Sequence, residues 1–112
     1  RAGGEIIISN KFATLKTALR DAGEEDNFET YNRRAINLAS EARYDMGAKD
    51  ILIAGGISHW SWSGIYPNLE ELKGNSREQA AIMAKAGADM IILEMMSNIE
   101  RMLAVIEGVK HC

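Results

Sequence analysis

The strongest constraint on the fold is a short unit that occurs three times along the chain. Each copy is a glycine turn with a nearby acidic residue, followed by one of the apolar runs Ile6–Ile8, Ile51–Ala54 and Met90–Leu93. Runs this short favour strands buried on both faces, which occur in parallel sheets covered by helices. The leading glycines Gly47 and Gly87 lie 40 residues apart, which provides room for the helix that a parallel connection needs.

The interval after the first strand carries two helical patterns. Apolar residues between Leu15 and Ala22 recur at the spacing of one helix face, and a glycine follows that segment. A longer helix is predicted from Asp26 to Gly47. Asp26 is predicted to be its cap, with Glu29 three positions later as in a capping box.

The second interval contains a long stretch without a clear period. We expect residues 55–75 to be largely irregular, with at most a short helical turn near Leu69, and a helix to begin near Ser76 with Asn75 as its cap. The last helix is predicted to start at Ser97, because Ser97 and Glu100 have the spacing of a capping box.

These patterns predict an α/β fold of three parallel βα units. Three strands leave two open sheet edges, so either the chain is part of a (β/α)8 barrel or copies of it associate along those edges. Because the sequence starts with Arg1 and leads at once into a turn and a strand, we expect a piece of a longer protein that forms one partial domain, residues 1–112.

Composition excludes several classes of protein. The net charge is −3 and no basic stripe is present, which argues against nucleic-acid binding. No apolar run approaches the ~20 residues of a membrane helix, and no secretory signal is visible. Cys112 is the only cysteine and cannot build a zinc site alone, so we expect a reducing, cytoplasmic location.

Four segments resemble homocysteine S-methyltransferases, in the order and at the spacing of that family. Ile8–Phe12 resembles the Thr-Asn-Thr-Phe segment that ends the family's second strand, and Tyr31–Arg43 resembles its second-helix signature. Ala54–Ser58 is similar to the glycine segment after the third strand. Gln79–Met96 is similar to the Gln-Ala and Gly-Val-Asp-Leu-Ile-Leu-Glu-Thr run that ends the fourth strand.

This resemblance implies a TIM-type (β/α)8 barrel in which the chain supplies strands two to four. In that family a zinc-bound thiolate of homocysteine attacks a methyl donor and gives methionine, because zinc holds the sulfur as a thiolate at neutral pH. The family's three zinc-binding cysteines lie in later strands and the C-terminal part, and Cys112 matches none of them. We therefore expect no zinc ligands and no catalytic activity in these 112 residues by themselves.

Glu94 is the first candidate site residue, because it follows a buried strand and chemistry collects at the carboxyl ends of parallel strands. The resemblance implies that Glu94 positions the amino-acid substrate through its ammonium group. The alternative is that Glu94 is only a polar residue at the point where the chain leaves the sheet. Asn10 and Phe12 match the strand-two segment and could line the pocket mouth or form a turn before a helix, whereas Lys11 replaces the family's small hydroxyl residue.

Gly55, Gly56 and Ser58 match the strand-three segment, where glycines let a backbone approach a ligand or make a tight turn. The loop that follows contains four aromatic rings, His59, Trp60, Trp62 and Tyr66. Aromatic faces can hold a cationic methyl donor, and they can equally pack a long loop onto the barrel.

Two other functions stay open at this point. One is a barrel lyase or aldolase with Glu94 as general base, which would need a lysine or a phosphate-binding loop at another strand end; the sequence shows neither. The other is a non-catalytic α/β module that associates with itself through its sheet edges.

Overall fold

Strands and helices alternate along the chain, as the repeated unit predicts. A computed structural model describes residues 3–110 and 112. The strands are β1 (Ile6–Ile8), β2 (Leu52–Ser58) and β3 (Met90–Glu94). The helices are α1 (Lys16–Asp21), α2 (Phe28–Asp45), α3 (Leu69–Ala86) and α4 (Ile99–Val109), and a 3-10 turn (Glu25–Asn27) precedes α2.

The strands form one parallel sheet in the order β1-β2-β3. Helices α2 and α3 both pack on β2 and on each other, and α4 packs on α3, so these helices cover one face of the sheet. A sequential strand order with right-handed crossovers places every helix on that same side. The predicted α/β fold of three parallel βα units is therefore confirmed.

The buried core lies between the sheet and its helices. It is centred on Ile53 and Ile57 of β2, and α2, α3 and α4 contribute Ile36, Leu72, Ala80, Met83 and Val105. Alternate strand residues point the other way. On that face Ile6, Ile8 and Leu52 are 45%, 51% and 41% exposed. The sheet thus has one packed face and one face that the described residues leave largely uncovered.

Helix α3 and strand β2 are both longer than predicted. Helix α3 begins at Leu69, because Asn68 caps it by accepting a hydrogen bond from the Glu71 N–H at 2.9 Å. Strand β2 continues through its glycines to Ser58. The expected irregular stretch 55–75 is therefore wrong, and the loop spans 59–68. Packing of the fully buried Leu72 outweighs the loop-like composition of residues 74–76.

Two predicted caps are also wrong. Asp26 lies within the 3-10 turn, and the cap residue of α2 is Asn27, whose side chain makes no capping hydrogen bond. Helix α4 is capped by Asn98 rather than Ser97, through a 3.0 Å hydrogen bond from the Arg101 N–H. In both cases the neighbouring asparagine is the cap residue. The capping-box spacing alone does not fix a helix boundary to a single residue.

The described helices include none with both the length and the apolar character needed to cross a membrane.

Candidate functional site

Glu94 lies at the carboxyl edge of the sheet, directly beside the backbone of β2. It is paired in register with Ser58, and its side chain folds back over Gly56. A methyl group on Gly56 would lie 2.9 Å from the Glu94 Cδ and Oε2 atoms. The missing side chain of Gly56 therefore makes the space that the carboxylate occupies. Met95 follows with a φ of 52°, so the chain turns away sharply after Glu94.

The loop after β1 is joined to the end of β2 by a side-chain hydrogen bond. Ser58 Oγ donates to the Phe12 carbonyl oxygen at 2.8 Å. The Phe12 ring is partly exposed and lies 5.8 Å from the Trp60 ring, whereas Asn10 is exposed. The structure thus brings Asn10, Phe12, Gly56, Ser58 and Glu94 to one edge of the sheet.

Gly55 is a different case from its neighbour Gly56. A methyl group on Gly55 would lie 2.6 Å from Met83 Sδ and 3.3 Å from Ile91 Cδ1. Gly55 therefore faces the helices, on the opposite side of the sheet from the Glu94 carboxylate. Its position allows close packing of α3 on β2, so of the two glycines only Gly56 lies beside the Glu94 carboxylate.

Lys11 is the residue that sequence reasoning undervalued. It is only 4% exposed, and its Nζ donates hydrogen bonds to the Gly56 carbonyl oxygen and, at 3.2 Å, to Asn32 Oδ1. The Ser9 N–H bonds the Ala54 carbonyl oxygen at 2.9 Å, so the Gly56 carbonyl is the next acceptor along that side of β2. Because β1 has ended, the lysine side chain fills that place.

Asn32 anchors the lysine to the helices. Its Nδ2 donates to the carbonyl oxygens of Phe28 and Thr14 at 2.8 and 3.0 Å, and its Oδ1 also accepts from Gln79 Nε2 at 2.8 Å. Both Asn32 and Gln79 are buried. The lysine head group is therefore held in a fixed polar network between β2, α2 and α3.

Burial lowers the pKa of Lys11 to about 7, although the charge of Glu94 acts to raise it. A buried ammonium loses hydration that these partners replace only in part. The sequence signal for this was the lysine in place of the family's small hydroxyl residue. The expectation that no lysine stands at another strand end was wrong, since Lys11 meets β2 at its carboxyl end.

The aromatic residues of the 59–68 loop contact one another rather than lining one cavity. The Trp60 and Trp62 rings are 4.2 Å apart, and the His59 and Tyr66 rings are 6.2 Å apart. The Arg101 guanidinium lies 3.6 Å from the centre of the Tyr66 ring. This arrangement matches the packing interpretation, while a methyl-donor site in this loop stays a prediction.

A carboxylate at the end of α1 fastens the same loop. Asp21 accepts hydrogen bonds from the Ser63 N–H at 3.1 Å and from the Ser63 and Ser61 hydroxyls. These bonds, led by the Ser63 backbone N–H, lower the pKa of Asp21. Asp21 therefore holds this loop at the end of α1.

The residues present do not fit a zinc site. Within 3–110 and 112, no three or more His, Cys, Asp and Glu side chains are grouped so that they could hold a metal ion. Cys112 is exposed, and its thiol donates to the Arg77 carbonyl oxygen at 3.5 Å on helix α3. His59 is buried, and neither ring nitrogen has a hydrogen-bond partner in the described part of the chain.

Comparison with known proteins decides the family. The sequence model of homocysteine S-methyltransferases matches residues 1–112. The chain belongs to the homocysteine S-methyltransferase family. The family resemblance expected from the four sequence segments is therefore confirmed.

Two relatives show how much of such a protein the chain represents. It is 27% identical to homocysteine S-methyltransferase 2 of Arabidopsis thaliana over 87% of this chain and 37% of that protein. It is also 27% identical to an S-methylmethionine–homocysteine S-methyltransferase of Pongo abelii, over 92% of this chain and 28% of that protein. The chain thus spans about a third of the length of the curated relatives that it matches.

Proposed function

We propose that the carboxyl edge of this sheet holds the amino-acid part of homocysteine in a homocysteine S-methyltransferase. The observation that carries the proposal is the position of Glu94. Its carboxylate lies over Gly56, half-buried, and makes no hydrogen bond or ion pair with the described residues. A carboxylate without a partner at a strand end can accept the substrate's ammonium group, and charge-assisted hydrogen bonds are among the stronger ones.

The other predicted site residues complete this pocket. Ser58 and Phe12 are already joined by a hydrogen bond, so they form a fixed rim beside Glu94, and Asn10 is exposed on the same edge. We propose that this rim positions the thiol for attack on the methyl donor, with methionine as the product. Because the part of the chain that the structure describes groups no zinc ligands, we expect the 112 residues alone to bind homocysteine without transferring a methyl group.

The sheet topology supports a partial (β/α)8 barrel as the surrounding domain, residues 1–112. Sequential parallel strands with helices on one face are the arrangement of such barrels, whereas doubly wound sheets carry helices on both faces. In this proposal the exposed Ile6, Ile8 and Leu52 face the barrel interior. A cytoplasmic location and small-molecule partners, with no nucleic acid or membrane, belong to the same proposal.

Binding of homocysteine to the isotope-labelled chain, followed by NMR, tests the role of Glu94. We expect the wild-type chain to show shifts at Gly56, Ser58 and Met95. Glu94→Gln should weaken binding by roughly tenfold or more, since a hydrogen bond to a charged group contributes ~1.5–3 kcal/mol. Glu5→Gln is the matched control, because Glu5 is exposed just before β1, at the opposite edge of the sheet.

A second ligand separates ammonium recognition from general affinity. A mercapto acid of the same length without the ammonium group should bind the wild-type chain and Glu94→Gln equally weakly. If Glu94→Gln binds homocysteine as tightly as the wild-type chain does, the proposed role of Glu94 is wrong.

Self-association is a second candidate, and the exposed apolar face of the sheet favours it. Sedimentation velocity distinguishes the two: a concentration-dependent dimer that is broken by Ile8→Lys would support association of copies. A monomer at all concentrations would exclude it.

A further inference from the structure

The hydrogen bonds of Lys11 match a neutral amine better than an ammonium group. A neutral amine has two N–H donors and one lone pair, and an ammonium group has three donors. Nζ has two acceptors in the part of the chain that the structure describes, the Gly56 carbonyl oxygen and Asn32 Oδ1. A third N–H would have no such partner, and the Glu94 carboxylate does not form an ion pair with it.

The surroundings of Nζ fix the amine in place. Asn32 Oδ1 is held from the other side by Gln79 Nε2, and Asn32 Nδ2 is bound to two backbone carbonyl oxygens. Nζ thus donates to two acceptors of this network, and the buried Gln79 Oε1, which has no partner among the described residues, receives no hydrogen bond from it. The lone pair of a neutral Lys11 accepts no hydrogen bond from the described residues.

We propose that Lys11 is a nucleophilic amine that forms an imine with small, uncharged aldehydes at this edge of the sheet. Buried lysines that stay neutral are the ones that proteins use for Schiff-base chemistry. An uncharged aldehyde is favoured because the negative charge of Glu94 acts on Lys11 and would also repel an anionic aldehyde there. This activity does not depend on homocysteine and goes beyond methyl transfer.

The reaction balances with the groups of the two reactants. The Nζ lone pair attacks the carbonyl carbon, a C–N bond forms, and the C=O π electrons move to the oxygen. One Nζ proton passes to that oxygen and gives a carbinolamine. Loss of the hydroxyl group together with the second Nζ proton releases water and leaves the C=N bond, so no oxidant, reductant or metal is needed.

Reductive trapping tests the proposal on the unmodified chain. Acetaldehyde and cyanoborohydride at pH 7 convert an imine to a stable N-ethyl group, which peptide mass mapping assigns to a single lysine. The sequence contains six lysines. Since burial holds the pKa of Lys11 at about 7, we expect it to be ethylated at least roughly tenfold faster than the exposed Lys49, despite its burial.

The pH profile of trapping separates this reactivity from general exposure. Ethylation of Lys11 should slow as the pH is lowered below its pKa of about 7, because the protonated amine has no lone pair. Lys11→Arg should lose the fast site, and Lys49→Arg should keep it. Ethylation of Lys11 at a rate equal to or below that of Lys49 in the folded chain at pH 7 would overturn the proposal, whether or not Lys11→Arg folds.

Discussion

The two edges of the sheet differ in whether their charged side chains are paired. At the amino edge, Asp89 accepts hydrogen bonds from the Ile53 N–H at 2.8 Å and from Arg43 Nη1 at 2.9 Å. Arg43 also donates to the Ile51 carbonyl oxygen at 3.0 Å. At the carboxyl edge, Glu94 has no ion-pair or hydrogen-bond partner in the described residues, and Lys11 is buried without a counter-ion in contact.

In our proposal, this difference separates stability from function within one small sheet. The hydrogen bonds of Asp89 and Arg43 at the amino edge fasten β3 to β2. The carboxyl edge keeps a carboxylate, an amine and the imidazole of His59 without full partners, which costs stability unless a ligand supplies the missing contacts. Groups left in that state are functional-site candidates.

The largest effect is expected from the pH dependence of stability that Lys11 causes. Its pKa is about 7 in the folded chain, against 10.5 as its ordinary value, so the unfolded chain binds more protons between those pH values. The free energy of unfolding should therefore rise from pH 7 towards pH 10, because stability increases with pH wherever the unfolded state binds more protons. Each pKa unit corresponds to ~1.4 kcal/mol, so the rise is on the order of 3–5 kcal/mol.

Urea unfolding at several pH values measures this rise. Lys11→Met should remove it, and Lys49→Met should retain it, because Lys49 is exposed. All other titratable groups apart from the substituted lysine are common to the three proteins, so the difference between the variants isolates Lys11. If the free energy of unfolding rises equally with pH in Lys11→Met and in the wild-type chain, Lys11 does not cause the rise, and the contrast between the two edges is wrong on this point.

The next largest effect is expected from replacing each of the adjacent glycines Gly55 and Gly56 by alanine. Gly56→Ala places a methyl group 2.9 Å from the Glu94 carboxylate, which can swing away because it ends a flexible side chain. We expect a small loss of stability and a roughly tenfold loss of homocysteine affinity. Gly55→Ala instead meets the fully buried Met83 and should cost ~1–3 kcal/mol of stability while leaving the carboxylate in place.

Thermal unfolding measures the stability of both variants, and the NMR titration measures their affinity for homocysteine. The comparison fails if Gly55→Ala loses affinity without losing stability, or if Gly56→Ala is destabilised as strongly as Gly55→Ala.

Much of the fold follows from local sequence patterns. The apolar runs and glycine turns predicted the three strands, because a buried parallel strand needs only a short, continuous apolar segment. The prediction for residues 68–76 was wrong, because Gly74, Asn75 and Ser76 are residue types typical of a loop. The helix extends through them because Leu72 is buried against the sheet, a tertiary contact that no local pattern contains.

The placement of the candidate site residues at one edge of the sheet was predictable, whereas the state of Lys11 was not. Glu94, Ser58 and Phe12 could be placed from strand ends and from the family resemblance. The state of Lys11 depends on Asn32, 21 residues away, and on Gly56, 45 residues away. Such an environment arises only when β1, β2 and α2 come together, so the pKa of this lysine was beyond sequence reasoning.

The smallest effect is expected at the amino edge, from Asp89→Asn. The Ile53 N–H hydrogen bond, followed by that of Arg43, lowers the pKa of Asp89. Asp89 therefore stabilises the fold above its ordinary pKa of 3.8, and this contribution is lost as the pH falls through the lowered folded value. Asparagine can still accept the backbone hydrogen bond and solvent screens the ion pair, so we expect a loss of only ~0.5–1 kcal/mol at pH 7.

Urea unfolding at pH 7 and below pH 3 checks this expectation, with Glu5→Gln as a control that should change neither value. The loss caused by Asp89→Asn should shrink in acid, because the wild-type carboxylate is then protonated as well. Homocysteine binding should be the same in Asp89→Asn and the wild-type chain, since Asp89 lies at the opposite end of β3 from Glu94. An Asp89→Asn chain that is stable yet binds less homocysteine would show that the two edges are coupled, and the separation of stability from function would then be wrong.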